Sequence, residues 1–307
     1  MDHRIKFRHL QTLIEVARQK SVGKAADVLS VTQPAVTRTI RELEEILGAE
    51  LFEKDGRGIR ITRFGEVFLR HAGESIAAIR RGVESIAQAR NSMGPPIRIG
   101  ALPTASASFM PDAVAEFMQA GTGSPVTIAT GENRWLLDAL RTGDLDLVVG
   151  RLAAPERMTG LHFEPLYSEE VVFAVRPDHP LRGRRQFSLS ELTAYTVLMP
   201  TAASIIRPFV DRLLVTNGIP DLANVIETVS DSFGRAYLAR NDAIWIISRG
   251  VIANDLATGQ LATLDIDTSE TRGAVGLTLR ADAVPNLSLT IMINTIREHA
   301  KRTGRGL

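Results

Sequence analysis

Gln33, Thr37, Arg38 and Arg41 stand on one face of a short periodic stretch, SVGKAADVLSVTQPAVTRTIRELEEIL at 21–47. At 3.6 residues per turn, Val36, Ile40, Leu43 and Leu47 fall on the opposite face as a stripe to be buried. Gln33 can pair with adenine or meet a phosphate, Arg38 can fork to guanine O6 and N7, and Thr37 offers a methyl and a hydroxyl. Ser21, Lys24, Thr32, Arg41 and, further on, Arg57 suit phosphates, whose contacts set register and carry little sequence information. Plainer readings stand beside these. Arg38 can pair with Glu42 one helical turn away, and Lys24 and Arg41 can be solvated surface cations.

The elements that must hold these side chains can be read around them. Residues 4–20 carry a helical pattern in Ile5, Leu10, Leu13, Ile14, Val16 and Ala17. Ser21 is a good N-cap for a second helix at 22–29, in which Ala25 and Ala26 let another helix approach closely. Ser30 and Val31 form a break, after which Thr32 is expected to cap a third helix with Pro34 in its first turn. Gly48 ends that helix as a left-handed cap. Two helices around a tight turn, the second with polar groups at its start, make a helix-turn-helix.

The stretch LFEKDGRGIRIT at 51–62 reads as a hairpin around Asp55-Gly56-Arg57-Gly58, with Lys54, Arg57 and Arg60 as cations of a wing or of an ordinary solvated turn. Thr62 is expected to cap a helix to about residue 91. Its apolar positions Phe64, Phe68, Ala72, Ile76, Ile79, Val83 and Ile86 step by four and three. A helix of that length is too long to bury its seam on one small domain, which predicts pairing with a second copy. Gly73 and Gly82 weaken it locally.

Met93-Gly94-Pro95-Pro96 stops the helix, and a different texture follows. Apolar runs at 97–102, 125–130, 145–150, 171–175, 196–199, 224–229 and 243–248 alternate with short helical patterns, so an α/β fold with parallel sheets is expected. A late strand at 271–280 and a closing helix at 286–301 complete it. The expected division is 1–62, 63–92 and 93–307. The last part is two lobes, one of about 97–162 and 268–307, the other of about 163–267.

Bulk properties exclude several classes. The 307 residues contain no cysteine, which removes disulfide scaffolds, thiolate metal sites and cysteine nucleophiles. The six histidines show no metal-ligand spacing, and neither G-x-S-x-G nor a phosphate loop is present. An enzyme, a metal and a cofactor are therefore not expected. Asp144 and Asp146 could pose as a catalytic pair, but Asp144 reads better as the turn before a strand. The chain opens on MDHRIKFRHL, charged from its second residue, and holds no apolar run of spanning length, so a cytoplasmic protein is expected. Residues 1–90 hold 16 Lys and Arg against 12 Asp and Glu, and the remainder 20 against 23. The basic third is the one suited to a polyanion.

Residues 1–65 closely resemble the DNA-binding region of LysR-type transcriptional regulators. The resemblance is carried by F-R-H-L-Q-T-L-I-E-V-A at 7–17, S-x-x-x-A-A-x-x-L at 21–29, T-Q-P-A-V-T-R-x-I-x-x-L-E at 32–44 and L-F-x-K at 51–54. It departs at I-T-R-F-G, 61–65, where many members have proline after the threonine. The family order of winged helix-turn-helix, linker helix and two-lobed α/β effector domain, the last resembling periplasmic binding proteins, fits the whole chain. RIKFRHLQT at 4–12, RFGEVFLRHA at 63–72, RIGALPT at 98–104 and ETVSDSFGRA at 227–236 resemble the regulators of the protocatechuate branch of aromatic catabolism.

The resemblance implies base contacts at Gln33, Pro34, Thr37 and Arg38, and an effector cleft at Thr104, Asn133, Thr201, Ser204, Ser230 and Ser232. It also implies a dimer of dimers on an interrupted palindrome of double-stranded DNA, in contact with RNA polymerase. For a small carboxylate effector, Arg151, Arg207 and Arg235 are the candidate cations, each also readable as a surface or inter-subunit arginine. Two other classes remain beside a ligand-responsive regulator: a small-molecule-binding or transport protein, and an architectural DNA protein.

Overall fold

Helix α1 (Phe7–Gln19) ends where Lys20 turns to φ 51°, α2 (Val22–Leu29) where Ser30 turns to φ 55°, and α3 (Gln33–Leu47) at Gly48 with φ 65°. Only the last stop has the residue that adopts this conformation without cost, so the first two are held by their surroundings. Ser21 caps α2 as expected, its Oγ accepting from the Lys24 N–H at 3.4 Å. Thr32 occupies the cap position of α3, but its side chain makes no capping bond. The second helical residue is Pro34, which has no N–H to offer, and that removes one of the two donors a cap normally takes.

The computed structural model describes residues 3–56, 58–91, 94–184, 188–219 and 221–303. They form two compact units, one reaching to Pro95 and taking in Leu137–Asp146, the other holding Pro96–Leu136 and the chain from Leu147 onward.

In the first unit Leu13, Val16, Ala25, Val36, Leu43 and Leu51 build the core, so the stripe read from α3 packs inward. Strands β1 (Phe52–Asp55) and β2 (Gly58–Ile61) pair antiparallel as the wing. Two bonds seat it: Glu44 Oε1 accepts from the Leu51 N–H at 2.7 Å, and the Ile59 N–H donates to the Lys20 carbonyl at 3.4 Å. Helix α4 (Arg63–Asn91) follows Thr62, whose Oγ1 accepts from the Gly65 N–H at 3.1 Å and so caps it without proline.

The expected seam of α4 divides. Phe68, Ala72 and Ile76 pack on the core of their own unit, whereas Phe64, Ile79, Val83 and Ile86 are exposed. Gly73 serves an approach rather than a weakness, since a Cβ there would lie 2.8 Å from Thr142 Cα. Asp144 sits in the same neighbourhood, accepting from Arg18 at 2.7 Å, Arg80 at 3.1 Å and the Thr142 hydroxyl at 2.8 Å. That is a structural carboxylate, as its turn position indicates.

The second unit runs β3 (Ile97–Ala101), α5 (Pro103–Ser108), α6 (Met110–Gln119), β4 (Val126–Thr130), α7 (Asn133–Arg141, its end in the first unit), β5 (Leu147–Arg151) and β6 (Leu161–Glu169). It continues with β7 (Val171–Val175), β8 (Thr196–Met199), α8 (Arg207–Thr216), β9 (Val225–Glu227), α9 (Asp231–Leu238), β10 (Ala243–Ser248), α10 (Ala253–Ala257), β11 (Ala262–Thr263), β12 (Gly273–Arg280) and α11 (Leu287–Arg302). Two five-stranded sheets result, in the orders β4-β3-β5-β12-β6 and β11-β7-β10-β8-β9.

The sheets are mixed, not parallel. β12 runs antiparallel to β5 and β6, and β7 antiparallel to β10 and β11. A helix crossover returns a strand parallel to its neighbour, but these strands enter from the other sheet, through Glu170 or the stretch after Thr263. The lobe boundary expected at about 162–163 falls inside β6, which pairs with β12 up to Glu169; the chain passes to the other sheet at Glu170.

Ile99, Phe109, Phe117, Val149, Leu277 and Met292 fill the core of the first sheet. The second sheet is buried on both faces. Along β10, Ile244 and Ile246 point to one cluster, Ala243 and Trp245 to another. α9 seats Gly234 against that tryptophan, where a Cβ would lie 2.7 Å from its Cζ2. Gly234→Val should therefore lower stability by roughly 1–3 kcal/mol, read as a lower midpoint in chemical denaturation of the full chain. An unchanged midpoint would contradict this packing.

Candidate nucleic-acid interface and ligand cleft

The outer face of α3 presents Gln33, Pro34, Arg38 and Arg41 to solvent. Thr37 is half-buried, and its hydroxyl donates to the Gln33 carbonyl at 3.1 Å. A Cβ on Gly23 would stand 3.7 Å from Gln33 Oε1, so the start of α2, with Ser21 and Lys24, shares a surface with the first turn of α3. The N–H groups of that first turn have no partner within the helix and point along a dipole that favours an anion. Thr32 stands exposed beside them.

Both readings of Arg38 hold together. Its side chain is 82% exposed, and its Nε donates to Glu42 Oε1 at 2.9 Å, so the pair with Glu42 engages Nε rather than the terminal amino groups. In the wing, Arg60 pairs with Glu53 at 2.6 Å, Lys54 is exposed, and Arg57 lies outside the described residues.

Between the two sheets of the second unit lies a cleft of about 580 Å³. The start of α5, the end of β5 and the start of α7 bring Thr104, Arg151 and Asn133 to it from the side of the first sheet. The loop after β8 and the start of α9 bring Ser204, Ser232 and Arg235 from the second. Thr201, Ser230 and Arg207 are not among the lining residues. Ser230 is spent as the cap of α9, accepting from the Phe233 N–H at 3.3 Å, whereas the Thr201 hydroxyl is buried with no hydrogen-bond partner among the described residues. Glu169, Thr228, Asp231 and Ser248 also line the cleft and were not anticipated. Asp231 had a signal, since it follows a capping serine in SDSFGR. Glu169 had none, because it becomes a cleft residue only where β6 ends. Burial holds the Asp231 carboxyl above the usual carboxylate range, while Arg235 pulls the other way.

The three arginines differ in what they have left to give. Arg207 donates to Asp211 at 2.7 Å and Glu227 at 2.6 Å. Arg235 donates to Asp255 at 2.9 Å and to the Val251 carbonyl. Arg151 is 7% exposed, with its guanidinium 4.4 Å from the centroid of the Phe209 ring and Nη2 donating to the Thr271 carbonyl. Its Nη1 is buried and has no hydrogen-bond partner among the described residues. Burial lowers its affinity for the proton and Glu169 raises it, yet an arginine stays a cation at any physiological pH. Arg151, a residue of the cleft wall, therefore carries a positive charge and a buried donor that no described residue uses. Among the described residues no group of acidic, histidine or cysteine side chains is placed to hold a metal, and no helix is long and apolar enough to cross a membrane.

Known proteins are similar to this chain in sequence and in fold. Residues 7–66 match the family description "Bacterial regulatory helix-turn-helix protein, lysR family", and residues 90–301 match "LysR substrate binding domain". Over 300 residues the chain is 58% identical to the HTH-type transcriptional regulator PcaQ of Agrobacterium fabrum, covering 98% of this chain and 96% of that protein. It is 34% identical over 295 residues to the uncharacterized regulator YdcI of Escherichia coli, covering 96% of each. Among solved structures it is similar to CbnR, a LysR family transcriptional regulator, with TM-score 0.58 and 21% identity over 96% of this chain and 99% of that one. It is also similar to LysG from Corynebacterium glutamicum with bound effector Arg, with TM-score 0.60 and 17% identity over 97% and 99%. These two likenesses are of fold. The matches across both parts of the chain, with the near full-length identity to PcaQ, establish that it belongs to the LysR family of DNA-binding transcriptional regulators.

Proposed function

We propose that this regulator acts in the cytoplasm on genes of protocatechuate catabolism, responding to a small carboxylated intermediate of that route. The near full-length identity to PcaQ supports the pathway. The observation that carries the effector class is Arg151 Nη1, a buried cationic donor without a partner on the wall of the cleft. A carboxylate supplies the charge and the acceptor together, and such a bond is among the stronger ones available to a ligand. Thr104, Asn133, Ser204 and Ser232 line the same space and orient the rest of the acid. Thr201, Ser230, Arg207 and Arg235 act around it, the two arginines being committed to carboxylates of the chain.

On DNA, Gln33, Pro34, Thr37 and Arg38 meet base edges, while Ser21, Lys24, Thr32, Arg41 and Arg57 meet phosphates. The exposed part of the α4 seam, Phe64, Ile79, Val83 and Ile86, pairs with a second copy, and the dimers join in pairs on an interrupted palindrome. Effector binding shifts the assembly between arrangements that bend DNA differently and meet RNA polymerase differently.

Three outcomes test this. Arg38→Ala should weaken binding to the chain's own upstream intergenic DNA by about 1–3 kcal/mol in gel shifts, with ligand-induced thermal stabilisation retained. Equal loss of both would refute the division between the two sites. Arg151→Ala should weaken binding of protocatechuate-route acids by roughly ten- to a hundredfold in calorimetry and spare DNA binding. If no acid of that route stabilises the parent protein, the pathway is wrong. Val83→Asp with Ile86→Asp should shift the protein towards monomer in sedimentation, and an unaltered distribution would remove α4 from the dimer.

A further inference from the structure

Glu42 stands at the centre of a cluster that the DNA-reading role does not account for. Its Oε1 accepts from Arg38 Nε at 2.9 Å, and its Oε2 accepts from Arg8 Nη2 at 2.8 Å. His9 reaches Oε2 through Nε2 at 3.4 Å, while its Nδ1 accepts from the Lys6 N–H at 3.2 Å. With Nδ1 used as an acceptor, the ring proton sits on Nε2 and points at the carboxylate. The ring itself is buried, so this third contact is fixed by the core. The bonds from Arg8, Arg38 and His9, in that order for the first two, drive the Glu42 carboxyl down to about 2, so it is charged under all physiological conditions.

We propose that Glu42 is a positioning residue for sequence readout, holding the Arg38 guanidinium by Nε so that its terminal amino groups face outward, and withholding Arg38 and Arg8 from phosphates. This rests on Arg38 meeting a base edge. A bidentate contact with guanine needs the guanidinium plane fixed before docking, and an exposed arginine has several rotatable bonds with which to find a phosphate instead. A carboxylate on its Nε removes much of that freedom. The same negative charge, 31% exposed on the DNA-facing side of α3, repels phosphates in any register that does not bring a base edge to Arg38. Arg8 completes the device from α1: it shares Glu42 with Arg38, so both arginines are partly neutralised until DNA offers something better.

The test uses the full-length protein, with affinity measured on a duplex of its own upstream intergenic sequence and on mixed-sequence genomic DNA across a salt series. Glu42→Ala should tighten binding to mixed DNA and lower the ratio of specific to non-specific affinity by about tenfold, with Glu42→Gln smaller in the same direction. The salt slope on mixed DNA should steepen by about 0.9 for each arginine released to a phosphate. In an Arg38→Ala background Glu42→Ala should lower the ratio much less, since only Arg8 is then left to be released. If Arg38→Ala lowers the ratio and Glu42→Ala does not, the inference falls and the base contact stands. If Arg38→Ala itself leaves the ratio unchanged, the base contact falls and takes the inference with it. If Glu42→Ala lowers the thermal midpoint and weakens both DNAs by the same factor, Glu42 is only a strut between α1 and α3, and the proposal is overturned.

Discussion

A guanidinium taken out of water has to be answered by something, and in this protein Arg151 is answered only in part. Removing an ion from water costs several kcal/mol even after relaxation. The Thr271 carbonyl, the face of Phe209 and the charge of Glu169 offset much of that cost. They come from β6, from α8 and from the return stretch before β12, so both sheets contribute to one ion. Thr271 is itself tied down, accepting from the Val171 N–H at 2.9 Å and donating to the Thr268 carbonyl at 2.7 Å. The guanidinium thus lies where the two connections between the sheets meet.

The arginines of the first unit live under the opposite constraint. Arg38 is well hydrated, so desolvation is not its difficulty and its pair with Glu42 adds little stability. What such a side chain lacks is a fixed direction. α3 carries two carboxylates that supply direction in different ways. Glu42 faces the arginines of α1 and α3, and Glu44 accepts from the backbone of Leu51 and Phe52, which sets where the wing starts. One helix therefore positions an exposed arginine and the hairpin beside it.

α4 carries one apolar stripe, and only part of it is buried by its own unit. Its early positions Phe68, Ala72 and Ile76 are used by the core of its own unit, and the later Ile79, Val83 and Ile86 are left over. For the later positions the division follows from length, while Phe64 is exposed at the helix start. A helix of 29 residues extends on the order of 44 Å, beyond the reach of a three-helix core. Burying the remainder requires another surface, and apolar side chains spaced by three and four suit a helix of the same kind.

The sequence by itself determined whatever depends on neighbours along the chain. Periodicity assigned α1 to α4 and most strands, Ser21, Thr62 and Gly48 marked helix ends, and the spacing of Gln33, Thr37 and Arg38 put them on one face because a helix repeats every 3.6 residues. The left-handed turns at Lys20 and Ser30 were not legible as such, since neither residue prefers them. Nor was the silence of Thr32 as a side-chain cap, although Pro34 contains its reason. The antiparallel strands of each sheet escaped notice because an apolar run reads the same in either direction.

Only the tertiary structure decided which of the three arginines keeps a donor without a partner among the described residues. Arg151, Arg207 and Arg235 are equivalent as letters. Their partners Asp211, Glu227, Asp255 and Thr271 lie 4 to 120 positions away along the chain. Local pattern constrains neighbours in sequence, whereas charge is balanced between neighbours in space.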